Sequence, residues 1–199
     1  MTKKSIWLIV GCSVIIITVI NYSLPKRNFK NAIDEIRSST VPMFDSVSKQ
    51  MNIENSLRLK VVLLIENDSL VKANQIIDSI LTITPSNIFF HVYKGMAYAK
   101  AANYGMALKE YDSSILLSKT EFPLVLSEKA SVYIKLKDYN SAIDNYEKAA
   151  VINPDFNLQV ANTFNSINKK DSALKYYEIY LMDNPKDTLV MKKIALLSK

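Results

Sequence analysis

Glycine, cysteine, histidine and tryptophan are all scarce in this chain of 199 residues, with three, one, one and one copies. Three glycines leave no glycine-rich loop to cradle a phosphate, and no strand-like alternation bounded by turn dipeptides is present. The class is therefore all-α. One cysteine, Cys12, excludes an intramolecular disulfide, and one histidine, His91, with one cysteine cannot build a metal cluster. No nucleophile stands with a matching base, so the sequence offers no catalytic residue, no metal site and no cofactor site. Asp112, Asp144, Glu147 and Glu178 lie among lysines on helical faces and read as solvated surface charges.

What the chain does have is an echo. Ala73, Ala107, Ala142 and Ala173 are spaced by 34, 35 and 31 residues. Each is followed four residues later by a large side chain: Ile77, Tyr111, Tyr146 and Tyr177. Ile80, Ser114, Ala149 and Tyr180 come three residues further on, and Pro85, Pro154 and Pro185 close three of the units. The upstream halves repeat too. Gly95 and Tyr98, Ala130 and Tyr133, Ala161 and Phe164, and Val61 and Leu64 stand at matching distances before the four alanines. A period near 34 means stacked helical pairs that share a continuous core, in place of one globular core. Small residues let paired helices approach, and aromatics fill the gaps between neighbouring units.

Small, aromatic, turn, small, aromatic, small resembles the tetratricopeptide repeat, and the stretch Tyr139 to Pro154 matches that family's second helix. The resemblance covers about 54–185, divided into units 54–87, 88–122, 123–153 and 154–185. It departs from the family pattern where tryptophan is usual: Leu57, His91, Leu126 and Asn157 stand there. At that place His91 reads as a partly buried structural residue. The first unit has Val61 at a small-residue position, and the third is followed by a connection about three residues short, which should tighten the next inter-unit angle. Ser141 and Asp171 are expected to cap second helices. Residues 186–199 should close the stack, with Leu189, Val190, Ile194 and Leu197 on one face of a capping helix. The expected architecture is a right-handed α-solenoid of about four helix-turn-helix repeats.

The resemblance also implies a function. In this family the first helices line a concave groove that holds a segment of another protein. Carried over residue by residue, the groove positions are Arg58 and Val62; Phe89, Val92, Met96 and Lys100; Ser127, Ser131 and Lys135; Leu158 and Asn162. Val62, Val92 and Met96 stand where a grip on a terminal carboxylate would need polar groups, so that mode of the family is not expected. The implied role is an adaptor or assembly scaffold. Self-association through the convex face or an end of the solenoid is the alternative.

Residues 6–24 carry no charge and are rich in Ile and Val, long enough to cross a hydrocarbon core as a helix. Trp7 and Tyr22 lie near the ends of this run, and Lys3, Lys4, Lys26, Arg27 and Lys30 flank it. An uncleaved single-pass anchor is the favoured reading. A cleaved signal would need a small-x-small site, which does not follow. A lipoprotein signal would use Cys12 after Gly11, but most of the apolar run then lies on the wrong side of it. The repeats are expected on the extracytoplasmic side, with a cytoplasmic-facing arrangement as the alternative. Between run and repeats, residues 25–53 are expected to form a stalk of two short helices interrupted at Pro42.

The chain carries a net charge of +6. Residues 1–53 hold seven Lys/Arg against three Asp/Glu, and residues 54–199 hold 18 against 16. The surplus therefore flanks the apolar run, where it can meet anionic headgroups. No basic stripe with interleaved aromatics points to nucleic acid. The composition, rich in Ile, Asn, Lys and Ser, suggests an AT-rich, bacterial genome.

Overall fold

The structure is a computed structural model that describes the backbone of residues 26–198, with side chains at Pro42 and from Asp45 onward. The apolar run 6–24 and Cys12 lie outside the described residues. Among the described residues no helix is long and apolar enough to cross a membrane.

Contacts divide the chain into two units, residues 1–56 and residues 57–199. In the first, helix α1 (Lys26–Glu66) begins and runs through Pro42 without a break. The expected interruption there does not occur. Proline removes one backbone hydrogen bond and crowds the preceding turn. No glycine stands beside Pro42 to open a turn, so the helix accepts that local loss. Ile53 and Met51 on this stretch are exposed.

The second unit starts with the carboxyl end of α1 and continues as α2 (Leu70–Ile83), α3 (Ile88–Lys100), α4 (Tyr104–Ser118), α5 (Pro123–Lys135), α6 (Tyr139–Ile152), α7 (Asn157–Ser166), α8 (Lys170–Asp183) and α9 (Thr188–Leu197). Pairs α3/α4, α5/α6 and α7/α8 form antiparallel hairpins, each second helix packs on the next first helix, and α3 touches α5. This is an all-helical solenoid with no strand among the described residues.

The core follows the repeat. One cluster joins Val61, Ile65, Ala73, Ile77, Phe90 and Ala97; the next joins Val92, Ala107, Tyr111, Val125 and Val132. A third holds Ala130, Ala142, Ile143, Tyr146 and Val160, and a fourth holds Ala161, Ala173, Tyr177 and Val190. Each cluster spans one pair and the first helix of its neighbour, so burial passes from unit to unit. Gly95, Ala107, Ala130, Ala142, Ala149, Ala161 and Ala173 are all buried at these contacts, with Tyr111, Tyr146 and Tyr177. Tyr98, Tyr133 and Phe164 are half-buried against the same clusters. Gly95 meets the closest approach. A Cβ built on it would stand 2.5 Å from Tyr111 Cε1.

The scarcity of glycine shows in the turns. The bend inside each pair needs one residue in the left-handed region, and Asp68, Ala102, Lys137 and Asn168 fill it with φ of 57°, 58°, 61° and 58°. A side chain there costs about 1 kcal/mol or more, and hydrogen bonds such as Ser69 N to Leu64 O and Asp138 N to Tyr133 O hold the bend.

Two expectations are corrected here. Asp138, not Ser141, caps α6: its carboxylate accepts from Ser141 N at 3.2 Å. Those hydrogen bonds from Ser141 hold its carboxyl below the usual range. Asp171 lies inside the first turn of α8, after Lys169. The third connection is also not short. Asn153 and the 3-10 turn Pro154–Phe156 fill the same four places as Thr84 to Asn87 and Asn184 to Asp187. The missing residues come from the following first helix, since α7 has 10 residues where α3 and α5 have 13.

At the carboxyl end α9 closes the fourth cluster as expected through Val190, with Ile194 and Leu197 half-buried beside it. Asp187 caps the helix, accepting from Leu189 N and Val190 N. Leu189 departs from the expected face and is largely exposed, as is Leu196.

Candidate functional site

First helices of successive pairs, the carboxyl end of α1 with α3, α5, α7 and α9, form one layer, and their outward side chains form the candidate interaction face. At its amino-terminal end the Arg58 guanidinium sits 3.6 Å from the centre of the Phe89 ring. A planar cation over a ring face is held by the ring quadrupole. Val62 is half-buried next to it. Phe89 opens α3 and stays 46% exposed; Leu124 takes the matching place in α5 at 53%.

Not every groove position faces outward. Val92 is buried with Ala107, Tyr111, Val125 and Val132, and it belongs to the core. A branched apolar side chain at that phase gains more from the helix interface than from water. Met96 is half-buried and packs against two clusters. Leu158 is half-buried against the fourth.

The polar positions are partly engaged within the fold. Lys100 Nζ lies 3.3 Å from the Glu66 carbonyl and 3.5 Å from the Asp68 carboxylate. Ser127 Oγ donates to Leu124 O at 2.8 Å. Ser131 and the Tyr146 hydroxyl share a hydrogen bond of 3.2 Å. Asn162 Oδ1 accepts from the Tyr177 hydroxyl and from Lys193 Nζ, both at 2.8 Å. Lys135, at the carboxyl end of α5, is exposed. Sequence reasoning missed Leu124 and Lys193. Leu124 occupies the same phase as Phe89 and could have been found; Lys193 lies beyond the four repeats, where no phase pointed to it.

Some of the surface charges also join neighbouring pairs. Asp112, still exposed, binds Lys129 Nζ at 2.6 Å, and Asp78 binds Lys94 Nζ at 2.9 Å. The Asp78 hydrogen bond raises the Lys94 ammonium above its usual value. Glu147 accepts from the Tyr176 hydroxyl, and that bond pushes the phenol up to about 12. Asp144 instead pairs within its own helix with Lys148. Tyr111 points its hydroxyl at Glu128 Oε2, 3.4 Å away. Burial raises both groups, the phenol strongly, while the Tyr111 bond pulls Glu128 partly back.

His91 has both ring nitrogens engaged, Nδ1 at 2.7 Å from Glu110 Oε2 and Nε2 at 2.9 Å from Pro85 O. It ties α3 to α4 and to the preceding connection, which is a structural role. Among the described residues no group of three or more His, Cys, Asp or Glu could hold a metal ion. The face has the means to bind by apolar contact, stacking and charge.

A tetratricopeptide repeat family model matches residues 123–156. Anaphase-promoting complex subunit 3 of Schizosaccharomyces pombe is 30% identical over 114 residues, 56% of this chain. The chain spans 17% of that relative's length. The crystal structure of MamA superposes with a TM-score of 0.57 at 18% identity, covering 67% of this chain and 80% of MamA. Pseudomonas aeruginosa pilF gives 0.62 at 17% identity, covering 72% and 66%. These likenesses carry the fold. Residues 123–156 match the tetratricopeptide repeat, and the helical pairs on either side of them continue the same all-helical solenoid.

Proposed function

We propose that this chain is a membrane-held protein-interaction module whose first-helix face holds an extended or helical segment of a partner protein, as an adaptor or assembly scaffold. The observation that carries the reading is the face itself. Phe89 and Leu124 remain about half exposed at matching places on adjacent helices, and Arg58 stacks on Phe89. Large side chains at matching, water-facing places suit an apolar partner segment.

The anchor in this proposal is the apolar run 6–24, which holds the repeats on the extracytoplasmic side of a membrane. An alkaline wash of native membranes tests it: the anchored chain stays in the pellet, and release into the supernatant would sink the anchor. Cys12→Ser should leave retention unchanged; loss of retention would replace the spanning helix with a lipid on Cys12.

The groove is tested by co-purification from native membranes, comparing wild type with Phe89→Glu/Leu124→Glu. A protein missing only from the variant, with both chains equally helical, supports binding on this face. Identical protein lists would move the interaction elsewhere.

Self-association is the second reading, favoured by a specific row of side chains. Leu116, Val151 and Met182 each follow a small repeat alanine by nine residues and are 79%, 87% and 77% exposed. Sedimentation of the full chain in detergent at rising concentration separates this reading from the first.

A further inference from the structure

We propose that two copies of this chain pair along one edge of the solenoid, the edge that carries the connections between units. This rests on the self-association reading and gives it a surface and a symmetry. The surface is distinct from the Phe89 and Leu124 pair of the first-helix face.

Antiparallel pairs give the repeat region two edges. One holds the bends inside each pair; the other holds the carboxyl ends of the second helices and the connections to the next first helix. Large apolar side chains left in water are divided unequally between them. On the connecting edge Ile83, Leu116, Val151, Ile152 and Met182 stand within two residues of the end of a second helix, and Phe122 immediately precedes α5; all six are exposed. On the bend edge, within the same distance of a helix end, only Val71, Leu136 and Leu196 are.

The connecting-edge row is in phase with the repeat. Nine residues make about two and a half helical turns, so Leu116, Val151 and Met182 lie on the side of their helices away from the buried Ala107, Ala142 and Ala173. A helix face turned from the core is ordinarily polar. Three second helices place a large apolar side chain there, and the fourth, α2, has Thr82 at that phase with Ile83 beside it. None of Ile83, Leu116, Val151, Ile152 and Met182 joins a core cluster of the chain. Scattered single exposures of this kind are ordinary. With Phe122 these side chains leave on the order of 800 Å² in water, about one partner's share of a standard interface.

A second copy is the occupant that fits, because it carries the same row at the same pitch. Apolar ends that recur once per unit meet their counterparts in step when two edges run antiparallel about a two-fold axis. With the four ends of each row matched, Leu116 of one copy faces Val151 of the other, and Ile83 faces Met182. A bilayer fits less well. The connecting edge carries Lys119 and Lys186 against Glu121, Asp155, Asp183 and Asp187, an acidic surplus that anionic headgroups repel. Between two copies the same surplus is a modest repulsion that salt screens, so pairing should strengthen as salt rises.

Crosslinking of the full chain in intact cells tests the proposal. Cys12→Ser removes the chain's one cysteine. Leu116→Cys and Val151→Cys, each placed alone in that background and expressed together, should be joined by a flexible bismaleimide into a species of twice the chain's mass. Val71→Cys and Leu136→Cys, which also face water but on the bend edge, should stay single when treated alike. Ile83→Glu/Met182→Glu would set carboxylates against apolar side chains in the paired edge and should lower the crosslinked fraction about tenfold. Helicity should not change, since both sites are exposed. Bend-edge cysteines that crosslink as well as the other two, or a glutamate pair without effect, overturn the proposal.

Other occupants give other products. Crosslinks from Leu116→Cys or Val151→Cys to a different protein make that protein the occupant. No crosslink at all, with cysteines that react with maleimide only after detergent dissolves the membrane, assigns the edge to lipid. Either result overturns the pairing of copies. Failure of this edge and failure of self-association also separate. A dimer in sedimentation that Ile83→Glu/Met182→Glu leaves intact keeps self-association and removes this edge. A chain that sediments as a monomer at every concentration and gives no crosslinked pair removes both.

Discussion

Tyr111, Tyr146 and Tyr177 fill the same place in three successive repeats, yet unit two and units three and four use that tyrosine differently. In units three and four the hydroxyl stays at home, on Ser131 and on Asn162. In unit two it leaves the unit and points at Glu128. The cause is one residue. The position after the small contact residue is Ser131 or Asn162 in the later units, each with an oxygen to share, and Met96 in unit two, whose thioether is a weak acceptor. The small residue differs as well, since Gly95 replaces the alanines at 130 and 161 and lets the Tyr111 ring come close enough to meet a built Cβ at 2.5 Å. Repeat phase thus decides where a ring goes, and the neighbouring side chain decides whether its hydroxyl binds a pair together internally or links it to the next.

The largest effect that would break this comparison is steric. Gly95→Ala places a methyl inside the Tyr111 ring. Overpacking of this kind costs about 1–3 kcal/mol, against about 0.5–1 kcal/mol gained from removing a helical glycine. Urea unfolding should show net destabilisation. The reverse change in unit four, Ala161→Gly, should cost only about 0.5–1 kcal/mol. If Gly95→Ala stabilised the protein, the ring would be free to move and the two units would not differ in the way described.

The hydroxyls come next. Tyr177→Phe should cost about 0.5–1.5 kcal/mol, because a bond of 2.8 Å to Asn162 is lost from a buried position. Tyr111→Phe should cost less, since its bond is 3.4 Å long. Equal losses in thermal unfolding would erase the distinction between an internal and a linking tyrosine. Smaller still is the ion pair that joins units two and three. A double-mutant cycle with Asp112→Ala and Lys129→Ala should return a coupling of about 0.2–1 kcal/mol, sensitive to salt because Asp112 is exposed.

Much of this fold was legible because packing writes itself into sequence. Ala107 with Tyr111 and Ala142 with Tyr146 recur in phase because helices that touch need a small residue, and the gap between them needs a ring. Polar detail was not legible for the same reason: phase says nothing about which acceptor a hydroxyl finds. Val92 shares its phase with Arg58, Ser127 and Leu158, yet of the four it alone is buried, and phase does not mark that difference. Asp138 and Ser141 are both capping types, three residues apart, and the helix start chooses between them. Pro154 could open a helix or sit in a loop, so the shortened helix α7 was mistaken for a shortened connection. Candidate groove residues were read as a set, and the structure divides them into exposed ones such as Phe89 and Lys135 and engaged ones such as Asn162. No phase marked Lys193, whose position depends on α9 packing over the last repeat.

The smallest expected effect concerns Glu128, the acceptor that only unit two uses. Burial raises its carboxyl above the usual carboxylate range, and the Tyr111 hydrogen bond opposes that rise without cancelling it. A carboxyl raised in the folded state favours folding only while protonated. Its contribution is present below the unfolded value, near pH 4.3 for a glutamate, and is lost as pH rises through the folded one. At pH 7 the ionised carboxylate is therefore a mild burden. Glu128→Gln keeps an oxygen for Tyr111 and removes the charge, so it should be slightly more stable than wild type at pH 7, with the gap closing towards pH 4 as the wild type takes up its proton. Melting temperatures across that range would decide it. A variant less stable at pH 7 would mean that the link from Tyr111 to a charged acceptor outweighs the burial of that charge.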